Sequence, residues 1–182
     1  MSDSRGASAV VSNLLLIAVV VVLASVISVF ALGFAEETRN PGPTVSDSSA
    51  QYRTGSTTCD TDIVRLTHNA GDTVQLAETR TIVRLPDSGG TEATITGFPT
   101  DGTTLDSSDY DDPGNIVYSN GCVGGEAAEG DGGTGDWAAG TSFSFKLNSG
   151  SGDIEPGDTI DVLVVHEPSD AILVKHSLSV RN

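Results

Sequence analysis

Four aspartates within seven positions form the densest group of potential metal ligands in the chain: Asp106, Asp109, Asp111 and Asp112. Ca²⁺ prefers carboxylate oxygens, so this segment is a candidate calcium loop. It lacks the regularly spaced oxygen ligands and the closing glutamate of an EF-hand. The sequence therefore favours a solvated acidic loop and no metal site, with calcium binding as the alternative.

The three histidines, His68, His166 and His176, are the next candidates, because imidazole serves in acid–base catalysis and as a metal ligand. Each falls in or at the end of a predicted strand, and for His166 and His176 two imidazoles on the strand surface are the simplest interpretation. His166 and His176 lie on the two arms of one predicted hairpin and could face each other. The sequence has no Gly-x-Ser-x-Gly elbow, no phosphate-binding glycine loop and no His-Glu-x-x-His motif. We therefore expect no catalytic residue, no cofactor and no enzyme activity.

Cys59 and Cys122 are the two cysteines of the chain. An even number in a domain that follows an export segment favours a disulfide, and two buried free thiols are the alternative. A bridge closing about 62 residues would stabilise the fold by roughly 4 kcal/mol in the chain-entropy model. Neither cysteine has a second Cys or His at the spacing of a zinc site, so zinc is not expected.

The charge of the chain excludes one class of partner. Its 182 residues carry 25 Asp and Glu against 9 Lys and Arg, a formal net charge of −16. Nucleic-acid binding requires a basic surface, so no nucleic-acid partner is expected. A surface rich in carboxylates and poor in lysine stays hydrated where salt screens repulsion, which predicts a high-salt environment. An ordinary acidic surface protein is the alternative.

Beyond residue 51 the pattern is β. Short apolar runs alternate with Gly, Asp and Pro turns, and no amphipathic helix interrupts them, so we expect an immunoglobulin-like β-sandwich. Two segments, Thr100–Gly114 and Gly121–Gly140, are expected to be mobile surface loops. The predicted strands are Ile63–His68, Thr73–Leu76, Thr81–Leu85, Ala93–Thr96, Asn115–Ser119, Ser142–Leu147, Thr159–His166 and Ala171–Val180, the last two forming a hairpin.

An uncharged, mostly apolar segment runs from Ala7 to Ala35. As a helix it would be about 43 Å long, more than a bilayer requires. The predicted organisation is a leader at 1–6, the helix at 7–35, a Pro- and Ser-containing linker at 36–50 and an extracellular β-sandwich head at 51–182. The fold class is therefore α+β, with a long N-terminal helix followed by an all-β domain.

Several kinds of signal or membrane-anchor segment could explain this apolar stretch. A secretory signal has an apolar stretch of 7–15 residues, about half of what is found here. A lipid anchor would need a cysteine just after the apolar run, and the first one is Cys59. A permanent anchor with Arg5 in the cytoplasm obeys the positive-inside rule only weakly, because Asp3 opposes it. In a further alternative, a peptidase cuts at Arg5-Gly6-Ala7 and leaves the whole helix on the mature protein.

Residues 5–12, Arg-Gly-Ala-Ser-Ala-Val-Val-Ser, support that last alternative. They resemble the start of the helix in haloarchaeal type IV pilins, which typically reads Arg-Ala-Val-Ser-Pro-Val-Ile-Gly. The match departs at Ala9 and Ser12. Scattered points of the β region also resemble that family: Leu66–Thr73, Trp137-x-x-Gly140-Thr141-x-Phe143, Ile154–Ile160 and Ala171–Leu173.

The resemblance implies the subunit of an archaeal type IV pilus-like surface filament used for adhesion. It implies cleavage by a prepilin peptidase between Gly6 and Ala7, and assembly by an ATPase and a membrane platform. The helix would lie in membrane lipid before assembly and against sister helices afterwards, where Ser12, Asn13, Ser25 and Ser28 could make interhelical hydrogen bonds. A singly anchored extracellular binding module, possibly for Ca²⁺, is the alternative function, and an exported enzyme is the least favoured.

Overall fold

The computed structural model describes residues 4–37, 42–54, 62–96, 98, 104–118, 123–128, 134–149 and 154–181, without the side chains of 4–9 and 30–37. The chain divides into two compact units, Met1–Pro41 and Gly42–Asn182. The first contains one apolar helix and the second is built from antiparallel sheets. The predicted α+β fold class is confirmed.

Helix α1 spans Ser4–Glu37, which is 34 residues. Its centre consists of Leu, Val, Ile and Ala, and it contains no proline. Leu and Ala are strong helix formers, and in an apolar environment a helix satisfies every backbone group of such a segment internally. At 1.5 Å per residue the helix is about 51 Å long. It begins three residues before, and ends two residues after, the predicted range 7–35.

The second unit contains eleven described strands, all paired antiparallel. Three fully described 3₁₀ turns accompany them, at Leu76–Glu78, Pro86–Ser88 and Glu167–Ser169. The strands are β1 Val45–Arg53, β2 Ile63–Gly71, β3 Val74–Gln75, β4 Thr79–Leu85, β5 Thr91–Thr96, β6 Tyr110–Asp111, β7 Val123–Gly124, β8 Asp136–Trp137, β9 Ser142–Lys146, β10 Thr159–His166 and β11 Ala171–Ser179.

These strands form two larger sheets, in the orders β1-β2-β9-β7 and β11-β10-β4-β5-β6, and a two-stranded sheet of β3 and β8. Strand residues alternate between buried and more exposed positions, as expected when one face of a sheet is solvated. Buried side chains from both larger sheets belong to one hydrophobic cluster, including Leu66 and Phe145 from one sheet and Val83 and Val162 from the other. The unit is therefore a β-sandwich around a single core.

The sequence predicts the closing hairpin correctly. Strands β10 and β11 pair with Val164 opposite Val174, and the turn between them is the 3₁₀ turn Glu167–Ser169. Asp170 follows it with φ 51°, a left-handed conformation that Asp tolerates better than most residues. Strand β4 likewise ends where Pro86 begins a 3₁₀ turn.

Two segments differ from the prediction. The predicted linker 36–50 contains the last residues of α1 and the first six of β1, which pairs with β2 from Val45 to Arg53. Strand β1 is polar, and it forms because β2 offers a complete ladder of hydrogen-bonding partners. The predicted strand Asn115–Ser119 is wrong, because in its described part only an isolated bridge between Val117 and Leu147 forms.

The two predicted surface loops contribute to the core. Leu105 and Trp137 are fully buried, and Val123 is nearly so. The expectation of surface position is therefore wrong at these residues. Their side chains supply apolar area that the short strands of this small domain need, even though the surrounding sequence is rich in Gly and Asp.

Candidate functional site: the exposed apolar helix

Within α1, the stretch Val10–Val29 is long and apolar enough to cross a membrane, by length and composition. None of its residues is buried. Its large side chains are exposed on every side of the helix, as Ile27 at 66% and Leu14 at 63% illustrate. A helix that is apolar all round needs a lipid or protein environment, because water solvates such a surface poorly.

Ser25 is one of the few polar residues in this stretch. Its hydroxyl donates a 2.8 Å hydrogen bond to the carbonyl oxygen of Val21, one helical turn earlier. This bond satisfies the hydroxyl within the helix itself. Ser25 therefore adds little polarity to the apolar surface.

The predicted cleavage residues Arg5, Gly6 and Ala7 lie in the first turns of α1, directly after Ser4. The helix thus begins inside the segment that was predicted to be a leader. A cut between Gly6 and Ala7 would remove the first three helical residues and leave the span Val10–Val29 intact.

In the acidic segment the carboxylates stabilise turns. Oδ1 of Asp106 accepts hydrogen bonds from the backbone N–H, at 2.7 Å, and the hydroxyl of Ser108. These two bonds lower the pKa of Asp106. Oδ2 of Asp109 accepts from the backbone N–H of Asp106 at 2.8 Å. Oδ2 of Asp112 accepts from the backbone N–H of Val117 at 2.6 Å.

Asp111, the fourth candidate ligand, is exposed on β6. Among the described residues, no three His, Cys, Asp or Glu side chains are grouped so that they could hold a metal ion. The described geometry of the segment is therefore that of a hydrogen-bonded acidic turn.

The histidines occupy separate places. His166 lies opposite Ala171 and His176 lies opposite Val162, so the two do not form a cross-strand pair. His68 is fully buried, and its Nδ1 lies 3.0 Å from the carbonyl oxygen of Trp137. Because a carbonyl oxygen only accepts, Nδ1 must carry the hydrogen of this bond. His68 is thus a buried residue of the core.

The other two histidines join elements at the sheet margins. Nε2 of His176 lies 2.9 Å from the hydroxyl oxygen of Ser48, linking β11 to β1. Burial lowers the pKa of His176, and the charge of Asp47 opposes this shift. Nδ1 of His166 lies 2.7 Å from the hydroxyl oxygen of Ser169, in the adjoining turn. His166 is buried, at 7% exposed, so the prediction of a surface imidazole is wrong there, whereas His176 is half-buried.

Cys59 and Cys122 lie outside the described residues. The nearest described residues that follow them are Asp62 and Val123. Strand β9 lies between β2 and β7, since Phe145 is opposite both Val64 of β2 and Val123 of β7.

The sequence analysis did not predict a row of cross-strand neighbours on the outer face of the five-stranded sheet. It runs Lys175–Leu163–Ile82–Thr94–Asp111, each residue paired with the next. The period-two spacing of Arg80, Ile82 and Arg84 could have shown that these three share a face. The cross-strand register, which places Lys175 at one end of the row and Asp111 at the other, requires the fold.

Residues 5–46 match the model of the archaeal type IV pilin N-terminal domain. The match covers α1 from Arg5 onwards and the first two residues of β1. It contains the whole exposed apolar stretch and the predicted cleavage residues. The rest of the β-sandwich lies beyond it. No curated protein matches the chain.

Proposed function

We propose that this protein is the structural subunit, a pilin, of an archaeal type IV pilus-like surface filament. The observation that carries the proposal is the coincidence of two features in one segment. The match to the pilin N-terminal domain covers a helix whose aliphatic side chains are exposed on every side. Such a helix can exchange lipid for copies of itself without changing its own structure.

The proposal includes a maturation sequence. The precursor sits in the cell membrane with Arg5 on the cytoplasmic side, the orientation that the positive-inside rule favours weakly, since Asp3 opposes Arg5. A prepilin peptidase cuts between Gly6 and Ala7, and a pilus ATPase with its membrane platform moves the helix from lipid into the filament. The β-sandwich then faces the exterior, where we propose a role in adhesion or surface attachment.

The proposed role is structural and not enzymatic, and it requires no cofactor. The net charge of −16 suits a head exposed to concentrated salt, because carboxylates keep a surface hydrated when their repulsion is screened. This supports a halophilic setting like that of the haloarchaeal pilins.

We also propose a disulfide between Cys59 and Cys122. Its support is the even number of cysteines in a domain that follows an export segment. Mass spectrometry of the full-length protein, alkylated before and after reduction, tests this. A peptide pair that separates only on reduction is expected. Two alkylated thiols without reduction would show that the cysteines are free.

The mature N-terminus tests the pilin proposal. Peptide mass spectrometry of protein expressed in an archaeal host should find a chain that begins at Ala7. A chain beginning near Phe34 or Glu36 would mean a conventional secretory signal and would refute the proposal. An uncut chain without filaments would favour the anchored binding module.

Paired variants sharpen this test. Arg5→Ala combined with Gly6→Val should block both processing and surface filaments, since it changes both residues before the proposed cut. Ser4→Ala, one residue earlier, is the matched control and should be processed normally. Wild-type filament levels in the double variant would refute the cleavage site.

Calcium titration tests the alternative binding function. We expect no saturable binding by the full-length protein in detergent and molar salt, because the described carboxylates of the acidic turn do not converge on one point. Saturable binding that Asp109→Ala and Asp111→Ala abolish would establish a calcium site and favour the binding module.

A further inference from the structure

Strand β1 is the first strand of the β-sandwich to follow α1 in the chain, so tension between the helix and the sandwich enters through it. It lies at the edge of the four-stranded sheet and pairs with β2 alone. Among the described strands of five residues or more, β1 is the one without a buried residue. Its Val45, Ala50 and Tyr52 are only partly buried against the core. Detachment of β1 therefore removes no fully buried side chain from the core.

The chain is held tightly just before β1 begins. The backbone N–H of Thr44 donates a 3.0 Å hydrogen bond to Oδ2 of Asp72, and the N–H of Asp72 donates a 2.9 Å hydrogen bond to the carbonyl oxygen of Thr44. Two residues earlier, Gly42 packs against the turn between β10 and β11, where an added Cβ would collide with Oγ of Ser169 and lie 3.2 Å from Cβ of Ala171. We name the contacts of Gly42 with Ser169 and of Thr44 with Asp72 the entry clamp.

Beyond the entry clamp, β1 is held by its backbone pairing with β2 and by separate polar contacts. The pairing is shifted in its first part and regular from Ser48 to Arg53. The hydroxyl oxygen of Ser48 lies 2.9 Å from Nε2 of His176, and the hydroxyl of Tyr52 donates to Asp62. An edge strand that loses few buried apolar contacts opens at a lower free energy than the core of the same domain. The contacts of β1 therefore favour local opening over unfolding of the whole unit.

We propose that β1 is a strap that detaches under tension and pairs with β2 again when the tension falls, and that the entry clamp sets the load at which it detaches. A load from α1 reaches the clamp first, because Gly42 and Thr44 precede β1 in the chain. Once the clamp opens, β1 leaves β2 while the buried cluster and the other strands stay folded. The inference rests on the proposed function for the load, since a filament whose helices pack together pulls on its heads through this segment.

Pulling on the full-length protein with optical tweezers, in detergent and molar salt, tests the strap. Handles are attached through azide-bearing residues that replace Glu37, the last residue of α1, and Glu155, an exposed residue before β10. The first release should be at most about 75 Å, the extended length of the 21 residues 42–62, and it should reverse when the force is lowered. A single release more than twice as long, in which the whole head unfolds, would overturn the strap.

A variant of the entry clamp tests what sets the load. Asp72→Ala removes the carboxylate that accepts from the Thr44 N–H. It should raise the rate of the first release at constant force about ten-fold, near the lower end of the usual strength of a hydrogen bond to a charged group. Asp109→Ala is the matched control, because Oδ2 of Asp109 accepts a 2.8 Å backbone hydrogen bond in a turn outside the clamp. Equal effects of the two variants would overturn the role of the clamp.

Hydrogen exchange without applied force gives a second readout on the same protein. The backbone amides of β1 should exchange earlier than those of β10, and in Asp72→Ala they should exchange about ten-fold faster while β10 is unchanged. Equal exchange of β1 and β10 would overturn the strap.

The strap and the pilin proposal fail separately. Filaments of chains that begin at Ala7, together with a head that unfolds in one step, would overturn the strap alone. A short reversible release in a chain that is never cut at Ala7 and forms no filaments would overturn the pilin proposal and leave the strap standing.

Discussion

The Tyr52 hydroxyl on β1 donates a 2.6 Å hydrogen bond to Oδ1 of Asp62, just before β2. The same carboxylate accepts a hydrogen bond from the hydroxyl of Ser149, after β9. Asp62 therefore ties the end of the edge strand β1 to the end of β9 across β2. Burial, followed by the hydrogen bond and the charge of Asp62, raises the pKa of Tyr52 far above its ordinary value.

This relationship predicts a loss of stability at alkaline pH. In the unfolded chain Tyr52 ionises near pH 10, whereas in the folded chain it keeps its proton to higher pH. Its contribution is complete below about pH 10 and decreases as the pH rises further. Urea unfolding of the full-length protein in detergent between pH 9 and 11.5 should show this decrease. The decrease in the free energy of unfolding should be smaller in Tyr52→Phe. In the control variant Tyr118→Phe it should be as large as in the wild-type protein.

Trp137, the only tryptophan of the chain, should report folding. It is fully buried and packs edge-on against Phe143, with ring centroids 5.0 Å apart. We expect blue-shifted fluorescence that moves to the red on unfolding. Trp137→Ala should lower the free energy of unfolding by about 3–5 kcal/mol, the usual cost of removing a large buried ring.

Tyr118→Ala, at a ring that is 39% exposed, is the control for the loss of an aromatic side chain and should cost much less. The unfolding of both variants is measured by circular dichroism. Emission typical of water-exposed tryptophan in the native protein would contradict the placement of Trp137 in the core.

Alanine substitutions at two glycines distinguish the cost of backbone strain from the cost of a steric clash. Gly71 has φ 132° and Gly140 has φ 92°, so alanine is strained at both. At Gly71 an added Cβ would also collide with the Thr44 carbonyl and lie 2.8 Å from the amide nitrogen of Ser46, whereas at Gly140 it meets nothing within 4 Å. Gly140→Ala should cost about 1 kcal/mol, and Gly71→Ala about 3 kcal/mol or more. Equal losses in urea unfolding would disprove the contact between Gly71 and β1.

Salt should stabilise the folded protein. With a net charge of −16, self-repulsion acts over about 10 Å at 0.1 M salt and about 3 Å at 1 M. The midpoint of thermal unfolding should therefore rise steadily between these concentrations. Sucrose at matched osmolality controls for solvent exclusion. A constant or falling midpoint in sodium chloride would contradict the expected role of the acidic surface.

The sequence contained enough information to predict α1, β4, the closing hairpin and the fold class. In these segments hydrophobic pattern, turn residues and strand propensity agree, so local signals suffice. The apolar span and the resemblance of the N-terminal segment to pilins were also predictable, since Val10–Val29 is apolar all round and residues 5–46 match a pilin N-terminal domain.

The remaining features depend on partners distant in the sequence. Strand β1 is polar and is stabilised by pairing with β2, while Trp137 is buried although a Gly- and Asp-rich segment precedes it. The bond between Tyr52 and Asp62 and the row from Lys175 to Asp111 join residues on different strands. Only the register of the sheets brings such residues together, and single-sequence patterns do not encode register across distant strands.

The hydrogen bond from Ser25 to Val21 has a consequence for how the helix changes surroundings. A hydroxyl that needed a neighbouring chain would have to lose one partner and find another whenever the helix moved. Here the donor and acceptor travel together as parts of the same helical turn. Ser25 can therefore pass between hydrocarbon and a packed protein interior with its hydrogen bond intact, so this residue adds no polar barrier to the exchange of surroundings that the proposed filament assembly requires.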